Sequence, residues 1–124
     1  MGYYSEVAFM LDSELHNDFL AAIDKLEDPL RGNVRELLGM FTKRRYPGGF
    51  VLYHTELIKW YITEFPDVKF VDDWLNAQDY HRYQYITIGE EFDDVGEVGF
   101  MSDAPDNMYV ERRIVVPKGG RKCS

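Results

Sequence analysis

The sequence is poor in cysteine, in basic charge and in long apolar runs. One cysteine, Cys123, stands in 124 residues. An intrachain disulfide framework is therefore impossible, which fits a reducing compartment, and the expected location is the cytoplasm. Lys and Arg number 14 against 22 Asp and Glu, a net charge of −8. A surface of that sign repels phosphate backbones, so general nucleic-acid binding is disfavoured. It suits solubility or a basic protein partner. No stretch approaches the about 18 consecutive apolar residues of a membrane span, so no membrane role is expected. The opening "MGYYSEVAF" lacks the basic and apolar regions of a signal peptide. Its Glu6 stands where the myristoylation pattern wants Ser or Thr. His16, His54 and His81 form no HxxxH or HExxH pair. The chain has no nucleophile elbow, phosphate loop or EF-hand spacing. No catalytic residue, metal or cofactor is expected.

What is present is apolar and aromatic mass. Hydrophobic residues make up 45% and aromatics 15%, enough for a core in one domain. Residues 3–11 alternate, with Val7, Phe9 and Leu11 on one side, and predict a strand. Leu15, Phe19, Ala22, Ile23, Leu26 and Leu30 keep helical spacing after a cap at Asp12 or Ser13, with His16 assigned to the polar side. Asp28 before Pro29 interrupts that helix. Val34, Leu37, Leu38 and Phe41 step as a second, short helix. "KRRYPGG" at 43–49 reads as a loop. Residues 50–58 are β-branched and aromatic and predict a strand. Pro66 opens a third helix over 66–78, with Val68, Val71, Trp74 and Leu75 on its apolar face. "RYQYITIGE", "EVGFMS" and "MYVERRIVVP" read as three further strands in an antiparallel meander, since their connections are too short for crossovers. The expected order is β-α-α-β-α-β-β-β. It predicts an α+β domain over 1–117 with a mostly antiparallel sheet, two to three helices on one face and a ferredoxin-like core. Residues 118–124 are expected to be a flexible basic tail.

The opening "MGYYSEVAF", the block "ELIKWYITEFPDVKFVDDWL" and the run "YITIGEEFDD" resemble a family of small, poorly characterised proteins of phages, prophages and bacteria. The resemblance spans residues 1 to about 115. It carries no catalytic residue. It implies a small cytoplasmic protein, in the host cell if phage-encoded, that binds and inhibits a host or defence protein, an anti-CRISPR type of role among them.

Three functional readings follow. The first is a protein-binding module without catalysis. Tyr83 and Tyr85 share one strand face, and a displayed tyrosine surface binds proteins well. The acidic loop carrying Glu90, Glu91, Asp93, Asp94 and Glu97 would form its rim and steer it onto a basic partner. The second is a nucleotide or small-ligand binder using Arg44, Arg45 and Arg113. The third is a metal-dependent enzyme using Glu90, Asp93 and Asp94.

Overall fold

The computed structural model describes residues 4–79, 81–89, 95–98, 109–110, 114–117 and 120–123. Its organising element is β1 (Ser5–Leu11), which every later part of the sheet is built around. After it come α1 (Ser13–Asp24), α2 (Leu30–Gly39), β2 (Thr42–Arg45), β3 (Val51–Ile58), α3 (Pro66–Asn76) and β4 (Tyr83–Ile88). Four short strands end the chain: β5 (Val95–Val98), β6 (Tyr109–Val110), β7 (Ile114–Val115) and β8 (Arg121–Cys123). The main sheet runs β5-β4-β1-β3-β2-β8, and its paired neighbours are antiparallel. Within it β4-β1-β3-β2 is two interleaved split β-α-β units. That is the ferredoxin-like core, with α1 and α2 in one crossover and α3 in the other. The α+β class and the order of the main elements are as the sequence predicts.

Local chemistry explains the boundaries. The Asp12 carboxylate accepts the Leu15 N–H at 2.7 Å, satisfying a free donor at the start of α1. Arg82 donates to the same carboxylate at 3.1 Å and ties that start to the chain entering β4. Pro66 occupies the first turn of α3, where its missing N–H costs nothing. The β2–β3 turn closes with Tyr46 N–H donating to the Phe50 carbonyl at 2.9 Å. Gly48 and Gly49 adopt φ of 90° and 86° there, a region that side chains resist.

Strand alternation sends Val7, Phe9 and Leu11 toward the helices. They join Leu15, Phe19, Val34, Val68, Val71 and Leu75 in the main core. Phe9 is the hub, with its ring 4.9 Å from Tyr53, 5.5 Å from Phe41 and 5.9 Å from Phe19. Trp74 is only partly buried and packs from the periphery, 4.9 Å from Phe19. The opposite face carries Ala8, Met10, Leu52 and Ile86, all fully buried. The C-terminal segment covers it, with Ile114 buried and Val116 packed alongside.

Three local expectations are corrected. Residues 42–45 are a strand, because pairing with β3 overrides the weak strand preference of "TKRR". The residues expected as one last strand of the meander divide into β6 and β7, which pair with each other in a separate two-stranded sheet. The segment expected as a flexible tail contains β8, which pairs with β2 through Lys43–Cys123, Arg44–Lys122 and Arg45–Arg121. The open side of β2 offers unpaired backbone groups, and β8 satisfies them.

β3 also carries a bulge. Val7 pairs with Thr55 but Ser5 pairs with Ile58, so β3 holds one extra residue there. Strict alternation from Val51, Tyr53 and Thr55 would place Leu57 in the core. The extra residue puts Ile58 there instead and leaves Leu57 69% exposed.

Candidate functional site

The tyrosine face expected to meet a partner lies inside the protein. Tyr83 and Tyr85 are 1% and 4% exposed, because Leu11 and Phe9 pair with them in register and bring them to the helix side. The Tyr85 hydroxyl accepts from the Trp60 indole N–H at 2.7 Å and donates to the Asp72 carboxylate at 2.8 Å. Burial, reinforced by the Asp72 charge, pushes the Tyr85 phenol above its ordinary range. Burial does the same to Tyr83. These side chains fasten α3 and the 59–62 segment to the sheet, and their surface role is overturned.

Glu90, Glu91, Asp93, Asp94 and Arg113 lie outside the described residues. Glu97 belongs to β5, where its backbone pairs with Ile86, and its side chain is outside the described set. Arg44 and Arg45 do not converge. Their register partners, Leu52 and Val51, face opposite sides of the sheet. Arg45 lies on the helix side, where its charge reaches His16. Arg44 lies on the other side near Tyr46, with its Nε buried and without a hydrogen-bond partner among the described residues. The pair therefore does not form one pocket. Among the described residues no group of three or more His, Cys, Asp or Glu side chains is arranged to hold a metal.

A different surface feature stands out. The described large hydrophobics with exposed side chains are Tyr4, Leu20, Met40, Leu57 and Phe65. All but Leu20 line a single groove of about 370 Å³. Its walls come from three elements. The end of α2 gives Leu37 and leads to Met40. The end of β3 gives Leu57 and Ile58. The approach to α3 and its first turn give Phe65, Asp67 and Val68. Lys59 lies over the Tyr4 ring, 5.7 Å from its centroid, at one side. Three of the four exposed apolar residues in the groove have a local cause. Leu57 is turned out by the bulge, Met40 follows the last turn of α2 and Phe65 precedes the proline of α3. Contiguous exposed apolar surface of this kind marks interaction sites. The sequence held no readable sign of the groove, because the residues are far apart and the bulge reverses the alternation.

Two polar pairs, one buried and one partly buried, were also missed. His16, expected on the polar side of α1, is 3% exposed and hydrogen-bonds the Tyr53 hydroxyl at 2.8 Å. The spacing 16, 19, 23 does belong to the buried stripe. Desolvation lowers its pKa to about 4, helped by the charges of Lys43 and Arg45. On the other face Glu6 meets His54 at 2.7 Å, and its second oxygen accepts the Ile114 N–H at 3.2 Å. Both pairs link elements across the sheet surfaces and serve packing. Comparison with protein-family models, curated proteins and solved structures found no match to the chain.

Proposed function

We propose that the chain is a small protein-binding module that docks through the apolar groove between α2, the end of β3 and the start of α3. The observation that carries this reading is the convergence of Tyr4, Met40, Leu57 and Phe65 on that one groove. Burying such a patch against a partner removes apolar area from water at about 25 cal/mol per Å². Its centre supplies the aromatic and methionine side chains that are enriched in interfaces. The resemblance to small phage and prophage proteins extends the proposal to inhibition of a host or defence protein in the cytoplasm. The acidic residues Glu90, Glu91, Asp93, Asp94 and Glu97 keep the proposed role of steering the chain onto a basic partner.

Affinity capture from a bacterial lysate tests the module. Leu57→Asp and Met40→Asp alter exposed side chains, so both variants should melt with the parent. The partner held by the parent should be lost from both. Retention of that partner at unchanged yield would move the docking site elsewhere. A third variant, with Glu90, Glu91, Asp93 and Asp94 changed to Gln or Asn, separates the loop from the groove. It should slow association at low salt and leave the final complex intact.

A further inference from the structure

We propose that the crevice between α3 and the β4–β5 pair binds the ammonium head of a small primary amine. It is separate from the groove, and the two readings stand or fall independently. The crevice has a volume of about 120 Å³. On one wall α3 presents Asp72 and Asn76, one turn apart. On the other β4 presents Tyr85 and Thr87 from the helix side of the sheet. Ile62, packed against the main core, supplies an apolar side. Gly96 of β5 pairs with Thr87 and completes the lining. A Cβ at Gly96 would come within 2.8 Å of the Thr87 hydroxyl oxygen. Glycine therefore keeps the space beside that hydroxyl open.

The hydrogen bonds already made select the ligand. The Trp60 N–H is used by the Tyr85 oxygen, and the Tyr85 O–H by Oδ1 of Asp72. The Asn76 amide nitrogen donates to the Asp72 carbonyl at 2.9 Å, which turns the amide oxygen the other way. Among the described residues no donor reaches Oδ2 of Asp72, and no Lys or Arg pairs with that carboxylate. Burial raises the phenols of Tyr85 and Tyr83, and the Asp72 charge adds to both shifts, as a carboxylate without a countercharge does. What the crevice still offers is therefore a set of acceptors, one of them fully charged. An ammonium brings three N–H donors on a compact positive centre and matches that set. Phosphates and carboxylates bring the wrong sign. With Oδ1 taken by Tyr85, the two-pronged fit of a guanidinium to both carboxylate oxygens is lost. Calcium takes about six to eight oxygen ligands, more than this set supplies. The carbon beside the nitrogen rests against Ile62.

Ethylammonium chloride is the probe, followed through the backbone amide spectrum of the full chain. Tetramethylammonium keeps the charge without an N–H, ethanol keeps the shape without the charge, and potassium chloride matches the ionic strength. Ethylammonium should shift the Asp72, Thr87 and Gly96 amides saturably, at least about tenfold more tightly than any of the three controls. Asp72→Asn keeps the shape and an acceptor for Tyr85, and should weaken the amine at least about tenfold. Thr87→Val keeps the volume and should weaken it by less. Gly96→Ala puts a methyl group into the crevice and should abolish the shifts. An otherwise parental spectrum shows that a variant is folded. If Asp72→Asn is not, Gly96→Ala and Thr87→Val carry the test. Equal binding of tetramethylammonium or ethanol overturns the ammonium ligand, and so does saturation by potassium at the same concentration. Shifts that stay linear with concentration overturn the site itself. Amine binding that the folded variants leave unchanged does the same.

Discussion

The two faces of the sheet are covered in different ways. On the helix side, eighteen of the described residues form one buried cluster, drawn from β1, β3, β4, all three helices and the connecting residues Phe41 and Trp60. Phe9 stands at its centre with four aromatic neighbours, Phe19, Phe41, Tyr53 and Tyr85. On the other side seven form a second cluster, and Ile114 is the only one of them from the covering segment. That segment is held at separate points. Its Ile114 N–H reaches Glu6, its Pro117 carbonyl accepts from the Tyr46 hydroxyl at 2.8 Å, and β8 pairs with β2. A cover made of packed helices fails with the whole fold, whereas a cover pinned at points opens locally. The groove borders the helix-side cluster, whose Leu37, Ile58 and Val68 form part of its lining. It opens at the end of β3, where the bulge has removed Leu57 from the core, so its exposed residues Tyr4, Met40, Leu57 and Phe65 belong to neither cluster.

The sharpest way to break this contrast is to truncate one residue on each side. Phe9→Ala should cost about 3–5 kcal/mol in denaturant unfolding, since the cavity lies among rings that cannot all collapse into it. Ile114→Ala should cost less, about 2–3 kcal/mol. Hydrogen exchange should then show the 114–116 amides opening before those of β1. Equal costs, with simultaneous exchange, would mean that the two faces unfold as one.

Acid provides the next test. His16 has a pKa near 4 in the native protein against 6.5 when unfolded. Below 6.5 the unfolded chain takes up a proton that the native chain refuses until near 4. The contribution is therefore complete above pH 6.5 and is lost as the pH falls through that window. The loss is at most about 1.4 kcal/mol per pH unit. Melting at pH 7 and pH 5 should show a drop in the parent that His16→Gln reduces. An identical drop in the variant would assign the acid sensitivity to other groups. The smallest effect is expected at the groove. Leu57→Ser should leave stability within about 0.5 kcal/mol of the parent, because the side chain is already in water. A larger loss would place Leu57 in the core's support.

The helices and the three long strands were legible because their periodicities are local. Val68, Val71 and Leu75 announce the buried face of α3 from their spacing alone. β2 was not legible, since "TKRR" becomes a strand only through partners on both sides. Nor was the choice of face in β4. Alternation separates Tyr83 and Tyr85 from Gln84 and Ile86, but both sets are buried, and no local pattern says which meets the helices. Register with Leu11 and Phe9 decides it, and that pairing spans some seventy residues of chain. The groove lay furthest from reach. Leu57 and Ile58 exchange places through one extra residue, which a pattern of period two cannot reveal.

The central position of β1 bears on how the chain leaves the ribosome. The strand pairs on one side with residues 51–58 and on the other with residues 83–88, both made after it. At about 5–20 residues per second, the second partner emerges seconds after Leu11. Throughout that interval "VAFML" is an apolar strand with open backbone on at least one edge. The hazard of aggregation is thus set by the pace of translation and the supply of holdase chaperones, and no gain in final stability shortens it.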